Sequence, residues 1–271
     1  MVRKLSGRPA VITGAASGIG RSLAQRLSRH GCPVAIADVN EIELEKTAAS
    51  LQGPVLTRVL DVRDAEDVQQ FAGEVRAWLD LPLAAVFNNA GVATSTTVLN
   101  SVVEDDSWLF DINYWGVVNG TRAFLPQLVK QNYGVVVNTS SVFGLCGMPK
   151  QSAYCAAKFA VRGFTDSLRQ ELRGTGVSAV AVHPGGIKTN IIRNGRIHTE
   201  LDEQGRSVEQ MAADFDRIAL TTPDKAAEII HRGVERGKSR VLVGPDAYVF
   251  DALARITPSH YYSIMARLFE R

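Results

Sequence analysis

Short apolar runs alternate with helical patterns along nearly the whole chain, and this rhythm restricts the fold more than any other feature. Ala10–Ile12, Val34–Ala37, Val55–Leu60, Leu83–Phe87, Val135–Val137, Val177–Val182 and Arg240–Gly244 are brief, rich in β-branched residues and bounded by Gly, Pro, Asn or Asp. Such runs read as strands buried on both faces. Helical periodicity covers Ile19–His30, Glu41–Leu51, Ala65–Leu79, Glu104–Gln131, Ser152–Arg173 and Asp224–Arg236. The alternation predicts an α/β doubly wound fold, with a parallel sheet of about seven strands and helices on both faces. No linker-like stretch interrupts it, so residues 1–271 form a single domain. A polar, weakly periodic segment at about 187–222 follows a strand end, where open α/β sheets bind ligands, and reads as a substrate loop. A C-terminal extension occupies about 245–271.

Lys and Arg total 30 against 28 Asp and Glu, a formal charge of +2. That balance supplies no bulk attraction to nucleic acid or to an anionic membrane. The three cysteines, Cys32, Cys146 and Cys155, form no metal-ligand spacing and no even disulfide set, so no metal is expected. Free thiols and the lack of a secretory leader pattern predict a cytoplasmic protein. No apolar run reaches the length of a membrane span.

The first strand runs into Thr13-Gly14-Ala-Ala-Ser17-Gly18-Ile19-Gly20 and then a helix. Gly14 suits a tight turn, Gly18 close approach of a pyrophosphate, and Gly20 close packing of helix on sheet. The helix N-terminus offers free N–H groups to the phosphates. A glycine triplet by itself marks many ordinary turns; its place between strand and helix raises it to a dinucleotide-binding signal. The second strand ends at Asp38, whose carboxylate can accept from both adenosine ribose hydroxyls and would repel a 2′-phosphate. Val39 follows, and Ala16 stands where a cation could have gripped that phosphate, so NAD is expected over NADP. Asp38 could otherwise serve as a helix N-cap.

Tyr154 and Lys158 lie four apart on a predicted helix and share a face. An ammonium beside the phenol would lower its pKa toward the working range and allow proton exchange with an alcohol or carbonyl. Ser141 ends a strand thirteen residues before Tyr154 and could hold the reacting oxygen.

With Asp61-Val62, Asn88-Asn89-Ala90-Gly91, Asn113 and Pro184-Gly185 followed by Thr189, these motifs make a set. The chain resembles the short-chain dehydrogenase/reductase superfamily in its single-domain Tyr-x-x-x-Lys branch, over about residues 8 to 245. The resemblance implies a Rossmann fold and reversible oxidation of a secondary alcohol to a ketone. Under it Tyr154 is the general acid/base, Lys158 lowers its pKa and bonds the nicotinamide ribose, and Ser141 orients the substrate oxygen. Asn113 holds a water that relays protons from Lys158. Gly14, Ser17, Gly18, Ile19 and Gly20 cradle the pyrophosphate and Asp38 the ribose. Asp61 and Val62 contact the adenine, and Asn89, Ala90 and Gly91 lie along the cofactor. Pro184, Gly185, Ile187 and Thr189 cover the nicotinamide, with Thr189 at the carboxamide or phosphate. A homodimer or homotetramer built on the long helices is also implied.

Val142, Phe143, Leu145, Met148, Ile187, Ile191 and Ile192 are candidate substrate walls, mostly apolar, which suits a lipophilic alcohol or ketone. Arg193 and Arg196 read as solvated loop charges before ligands of an acidic group. His183 reads as a packed, hydrogen-bonded residue. The aromatic tail Tyr261–Phe269 reads as packing on its own domain or a second subunit before a membrane surface. A carbonyl reductase using NADP and a non-catalytic dinucleotide-binding scaffold are the alternatives.

Overall fold

Successive residues of the central strands point to opposite faces, and each face meets its own layer of helices. The computed structural model describes residues 4–196, 205 and 207–264. In β1 (Ala10–Thr13), Ala10 and Ile12 join one hydrophobic layer and Val11 the other. The same division runs through β2 (Val34–Asp38), β4 (Ala85–Asn88), β5 (Gly134–Thr139) and β6 (Val177–Pro184). Burial on both sides is why these segments read as continuous apolar runs. The edge strands are β3 (Val55–Val59), which carries Thr57 and Arg58, and β7 (Arg240–Val243). All seven pair in parallel in the order β3-β2-β1-β4-β5-β6-β7, with β1 between β2 and β4 where the winding direction reverses.

One layer is built from α1 (Gly18–Arg29), α2 (Glu41–Ala49) and α8 (Pro223–Glu235). The other takes α3 (Ala65–Trp78), α5 (Gly116–Lys130) and α6 (Ser152–Glu171). There Phe71 meets Phe124 edge-on with ring centres 6.0 Å apart. A buried polar chain ties the sheet to this layer: Asn88 donates to Thr121 and Asn138, and Asn138 donates to Thr165. The seven-stranded parallel sheet with helices on both faces is the doubly wound arrangement that the strand–helix rhythm predicts.

Two elements differ from the sequence reading. The helix expected over Glu104–Gln131 is α4 (Val103–Phe110), a π-turn at Asp111–Trp115, and then α5. The widened turn coincides with two tertiary demands. Asn113 is locked onto the backbone of Val92, and Gly116 lies where a Cβ would be 2.6 Å from Val62. A side-chain period carries no trace of one extra residue in a turn. Within the substrate loop a helix, α7 (Val208–Ile218), was not expected. Its signal was the reciprocal cap of Ser207 and Gln210 at the helix start.

The C-terminal extension forms α9 (Pro245–Ile256) and a further turn, and the Tyr261 hydroxyl bonds Gly147 of its own domain. The remainder of the aromatic tail, from residue 265, lies outside the described residues. Cys32, Cys146 and Cys155 are free and buried, and burial raises all three thiol pKa values. Among the described residues no helix is long and apolar enough to cross a membrane, and no cluster of metal-ligating side chains occurs.

Candidate active site

The carboxyl ends of β1, β2, β4, β5 and β6 deliver nearly every singled-out residue to one edge of the sheet. At β1, Gly14 takes φ +67°, and a Cβ there would be 2.7 Å from Ala90 Cα. Only glycine permits that turn and that contact. A Cβ on Gly20 would strike the Gly14 carbonyl, which fixes α1 tightly against the turn. Ser17 stands at the α1 N-cap without a side-chain cap, and the first turn holds no acidic residue. The N–H groups of that turn are therefore available to an anion, as a dinucleotide pyrophosphate requires. Thr189 closes the cradle from the other side, its methyl 3.0 Å from where a Gly18 Cβ would be. That position puts Thr189 at the phosphate turn. A recess of about 450 Å³ opens here, lined by Gly18, Thr189, Lys188 and Arg193 among others. Lys188 is a cation that the sequence reading did not single out.

Asp38 ends β2 with its carboxylate held by two backbone donors, Ala16 N–H at 2.9 Å and Asn40 N–H at 3.0 Å. Each oxygen keeps a further lone pair for a ribose hydroxyl. Arg21 bonds the Ala16 carbonyl, Thr47 and Glu43, the last at 2.6 Å. It is thereby committed to α2. Asp61 is gripped by Arg63 through its N–H and guanidinium, which holds the carboxyl below its usual range, and Val62 packs beside Gly116.

The Asn88–Gly91 segment serves the scaffold as much as the groove. The Thr13 hydroxyl accepts from Asn89 N–H and Ala90 N–H, and the Asn89 amide donates to the Thr13 and Gly14 carbonyls. Gly91 is where three elements converge: a Cβ there would lie 2.8 Å from Asn113 Oδ1 and 3.4 Å from Lys158 Nζ. Asn113 is fully buried, accepting from Val92 N–H at 2.9 Å and donating to its carbonyl at 2.8 Å. Each end of that side chain makes one bond to backbone and keeps one further donor or lone pair. Asn113 sits beside Lys158, and its side chain ties the Val92 backbone into the floor of the site.

Ser141, Tyr154 and Lys158 come together between β5 and α6. The Ser141 hydroxyl accepts from Phe143 N–H at 3.1 Å and is hydrogen-bonded to the Tyr154 side chain. The neighbouring Ser140 is turned inward, donating to the Lys158 carbonyl at 2.7 Å. Lys158 Nζ donates to the Thr139 carbonyl at 3.1 Å and lies 5.6 Å from the centre of the Tyr154 ring. Burial pushes Tyr154 up to about 12, with the Ser141 bond acting against it, and burial pulls Lys158 down to about 8. The expectation that Lys158 lowers the phenol pKa is not met by the chain's own groups. Desolvation dominates, and the ammonium is aimed at a carbonyl.

Behind Ser141 lies His183 of β6, completely buried, its Nδ1 3.0 Å from the Ser141 carbonyl. After it, Pro184 and Gly185 end the strand, and Gly186 N–H donates to Asp246 of α9 at 2.6 Å. Asp246 is a second residue that sequence reasoning missed; nothing local marks a carboxylate 60 residues from its partner. Ile187 is buried and pairs with Thr221, so it belongs to the fold more than to the groove. Val142 and Leu145 are likewise buried, whereas Phe143 and Ile191 pack around Tyr154 with Val92 and Trp108. Arg193 pairs with Asp216 at 3.6 Å. Arg196 pairs with Asp105 at 3.4 Å and stacks 4.2 Å over Trp108. Both loop arginines are bound to the protein itself.

Comparison with known proteins agrees with this geometry. Residues 8–200 match the short chain dehydrogenase family model. The oxidoreductase SadH of Mycobacterium tuberculosis is 45% identical over 266 residues, covering 96% of this chain and 94% of that protein. A short-chain dehydrogenase/reductase from Burkholderia phymatum, solved in complex with NAD, superposes with a TM-score of 0.82 at 29% identity, covering 93% and 94% of the two chains. A serine dehydrogenase solved with NADP+ superposes with a TM-score of 0.75 at 25% identity, covering 88% and 94%. The chain belongs to the short-chain dehydrogenase/reductase superfamily and is an oxidoreductase of that family.

Proposed function

We propose that this protein interconverts a lipophilic secondary alcohol and its ketone with NAD as the preferred cofactor. The observation that carries the reading is the buried trio of Ser141, Tyr154 and Lys158, set beside an uncapped helix N-terminus and a ribose-ready carboxylate. The nicotinamide supplies the hydride acceptor for alcohol oxidation or the donor for ketone reduction. Gly14, Gly18, Gly20 and Thr189 would hold its pyrophosphate, Asp38 its adenosine ribose, and Lys158 its second ribose.

Tyr154 moves the proton. At neutral pH its burial keeps it a phenol, ready to protonate a carbonyl oxygen as reduction proceeds. In oxidation the phenolate must form first, so that direction gains from alkaline pH. Ser141 has one lone pair engaged by Phe143 N–H and its hydroxyl against the Tyr154 phenol; when substrate binds, that hydroxyl would turn to the reacting oxygen beside the phenol. Asn113 and Gly91 set the floor on which Lys158 rests. Phe143, Val92 and Ile191 exclude water around Tyr154. Their apolar character supports a lipophilic substrate.

Asp38 supports NAD. Its carboxylate is held by two backbone N–H groups at the end of β2, where it would meet the ribose, and Arg21 of α1, just after the glycine turn, is paired with Glu43. Trp115 and Phe159 remain substantially exposed, which fits the proposed homo-oligomer. The test is a fluorescence titration with NADH and NADPH, followed by a screen of secondary alcohols with NAD. Tyr154→Phe should keep NADH affinity and lose turnover. Tighter NADPH binding would overturn the cofactor assignment, and normal turnover in the variant would overturn the proton transfer.

A further inference from the structure

Ser141 and Tyr154 are joined by a short, mostly buried or half-buried segment, and its midpoint is held from far away in sequence. After Ser141 a 3₁₀ turn spans Val142–Gly144, with Leu145 N–H and Cys146 N–H donating back to Val142. The far end is tied where Gln151 N–H donates to Met148 and Thr96 N–H to Lys150. Between these anchors both polar groups of Gly147 turn to one side chain. The Tyr261 hydroxyl accepts from Gly147 N–H at 2.8 Å and donates to the Gly147 carbonyl at 3.2 Å. One phenol thereby uses its proton and a lone pair on a single residue, 114 positions away. A Cβ on Gly147 would stand in van der Waals contact with the hydroxyl, 3.4 Å away. The same extension touches the segment again nearer the reacting groups. Phe250 of α9 meets Phe143 at 6.3 Å, and Phe143 meets Tyr154 at 6.2 Å, both edge-on.

We propose that Tyr261 is a positioning residue: its bidentate bond to Gly147 holds the segment between Ser141 and Tyr154 in place and so sets the wall against which substrate binds. The kinetic part rests on the alcohol–ketone reading. Tyr261→Phe keeps the ring and removes only the two hydrogen bonds. Hydrogen exchange read on peptides covering residues 144–155 should show lost protection at Gly147. NADH titration should give an unchanged Kd, because the phosphate and ribose groups are untouched. KM for a bulky secondary alcohol should rise about tenfold, with kcat and the KM for 2-propanol changed much less. A purely structural role would instead lower Tm and weaken NADH and all alcohols together. Unchanged exchange at Gly147 would overturn the clamp. Lost protection with unaltered KM would overturn its role in substrate positioning. A wild type inactive on every alcohol would overturn the reading of the reaction, and exchange would then judge the clamp alone.

Discussion

His183 Nδ1 lies 3.0 Å from the main-chain carbonyl of Ser141, inside a wholly buried contact between β6 and the end of β5. A carbonyl only accepts, so Nδ1 carries the proton. Burial holds the pKa at about 4, which keeps the ring neutral, and Nε2 is left with its lone pair and no partner among the described residues. The ordinary value is 6.5. The folded pKa is depressed, so His183 contributes stability that is full above pH 6.5 and lost as pH falls toward 4. The loss amounts to about 3 kcal/mol. Urea unfolding at pH 7.5 and 4.5 should show His183→Gln losing less stability on acidification than the wild type. An equal loss in both proteins would refute the assignment.

Lys158 bears the same physics with the opposite functional sign. Its pKa falls from 10.5 to about 8 through burial, so the stability it contributes above pH 10.5 is lost as pH drops through 8. At pH 7 the folded protein carries a buried ammonium whose cost one bond to Thr139 only partly offsets. Lys158→Met should therefore raise stability at pH 7 by about 1 kcal/mol while abolishing turnover. Thermal denaturation of the variant checks this; a lowered Tm would show that the ammonium is better solvated than its burial implies.

The same two groups set a pH profile. Ketone reduction needs the Tyr154 phenol and the Lys158 ammonium, so kcat/KM for reduction should decline above about pH 8 as Lys158 loses its proton. Alcohol oxidation should climb with pH over that range. A reduction rate that is flat from pH 7 to 10 would separate Lys158 from the proton-transfer step.

Asp38, the proposed ribose ligand, accepts from Ala16 N–H and Asn40 N–H. Asp38→Ala should weaken NADH binding by about tenfold or more and shift the NADH/NADPH ratio toward NADPH. It should also lower Tm, because two backbone donors lose a charged acceptor. Retained NADH preference would move cofactor discrimination to other residues.

Arg196 joins the segment after β6 to α4, stacking on Trp108 and pairing with Asp105. Arg196→Ala removes about 1 kcal/mol of tethering. Proteolytic nicking within residues 187–222 should then accelerate several-fold, and Trp108→Leu should do the same. Arg193→Ala, which loses a 3.6 Å pair to Asp216 and an exposed bond to Asn190, both in the same stretch of chain, should nick near the wild-type rate. Equal rates in all four proteins would dissolve the proposed tether.

The alternation of buried strands and helices, the glycine turn at Gly14–Gly20, Asp38 at the end of β2 and the four-residue step from Tyr154 to Lys158 were all legible in sequence. Each is a local pattern: a period, a steric need for glycine, or a spacing on one helix. Tertiary structure decided what those residues meet. Asn113, taken alone, suggested a buried amide bonded to backbone, and the fold supplies Val92 as that partner across the π-turn. Lys158 looked set to lower the Tyr154 pKa, yet the interior in which both lie costs the phenolate more than a carbonyl-bound ammonium returns. Asp246 on Gly186, His183 behind Ser141 and Tyr261 on Gly147 join positions 42 to 114 residues apart. Burial and long-range pairing are properties of the assembled layers, and no window of sequence contains them.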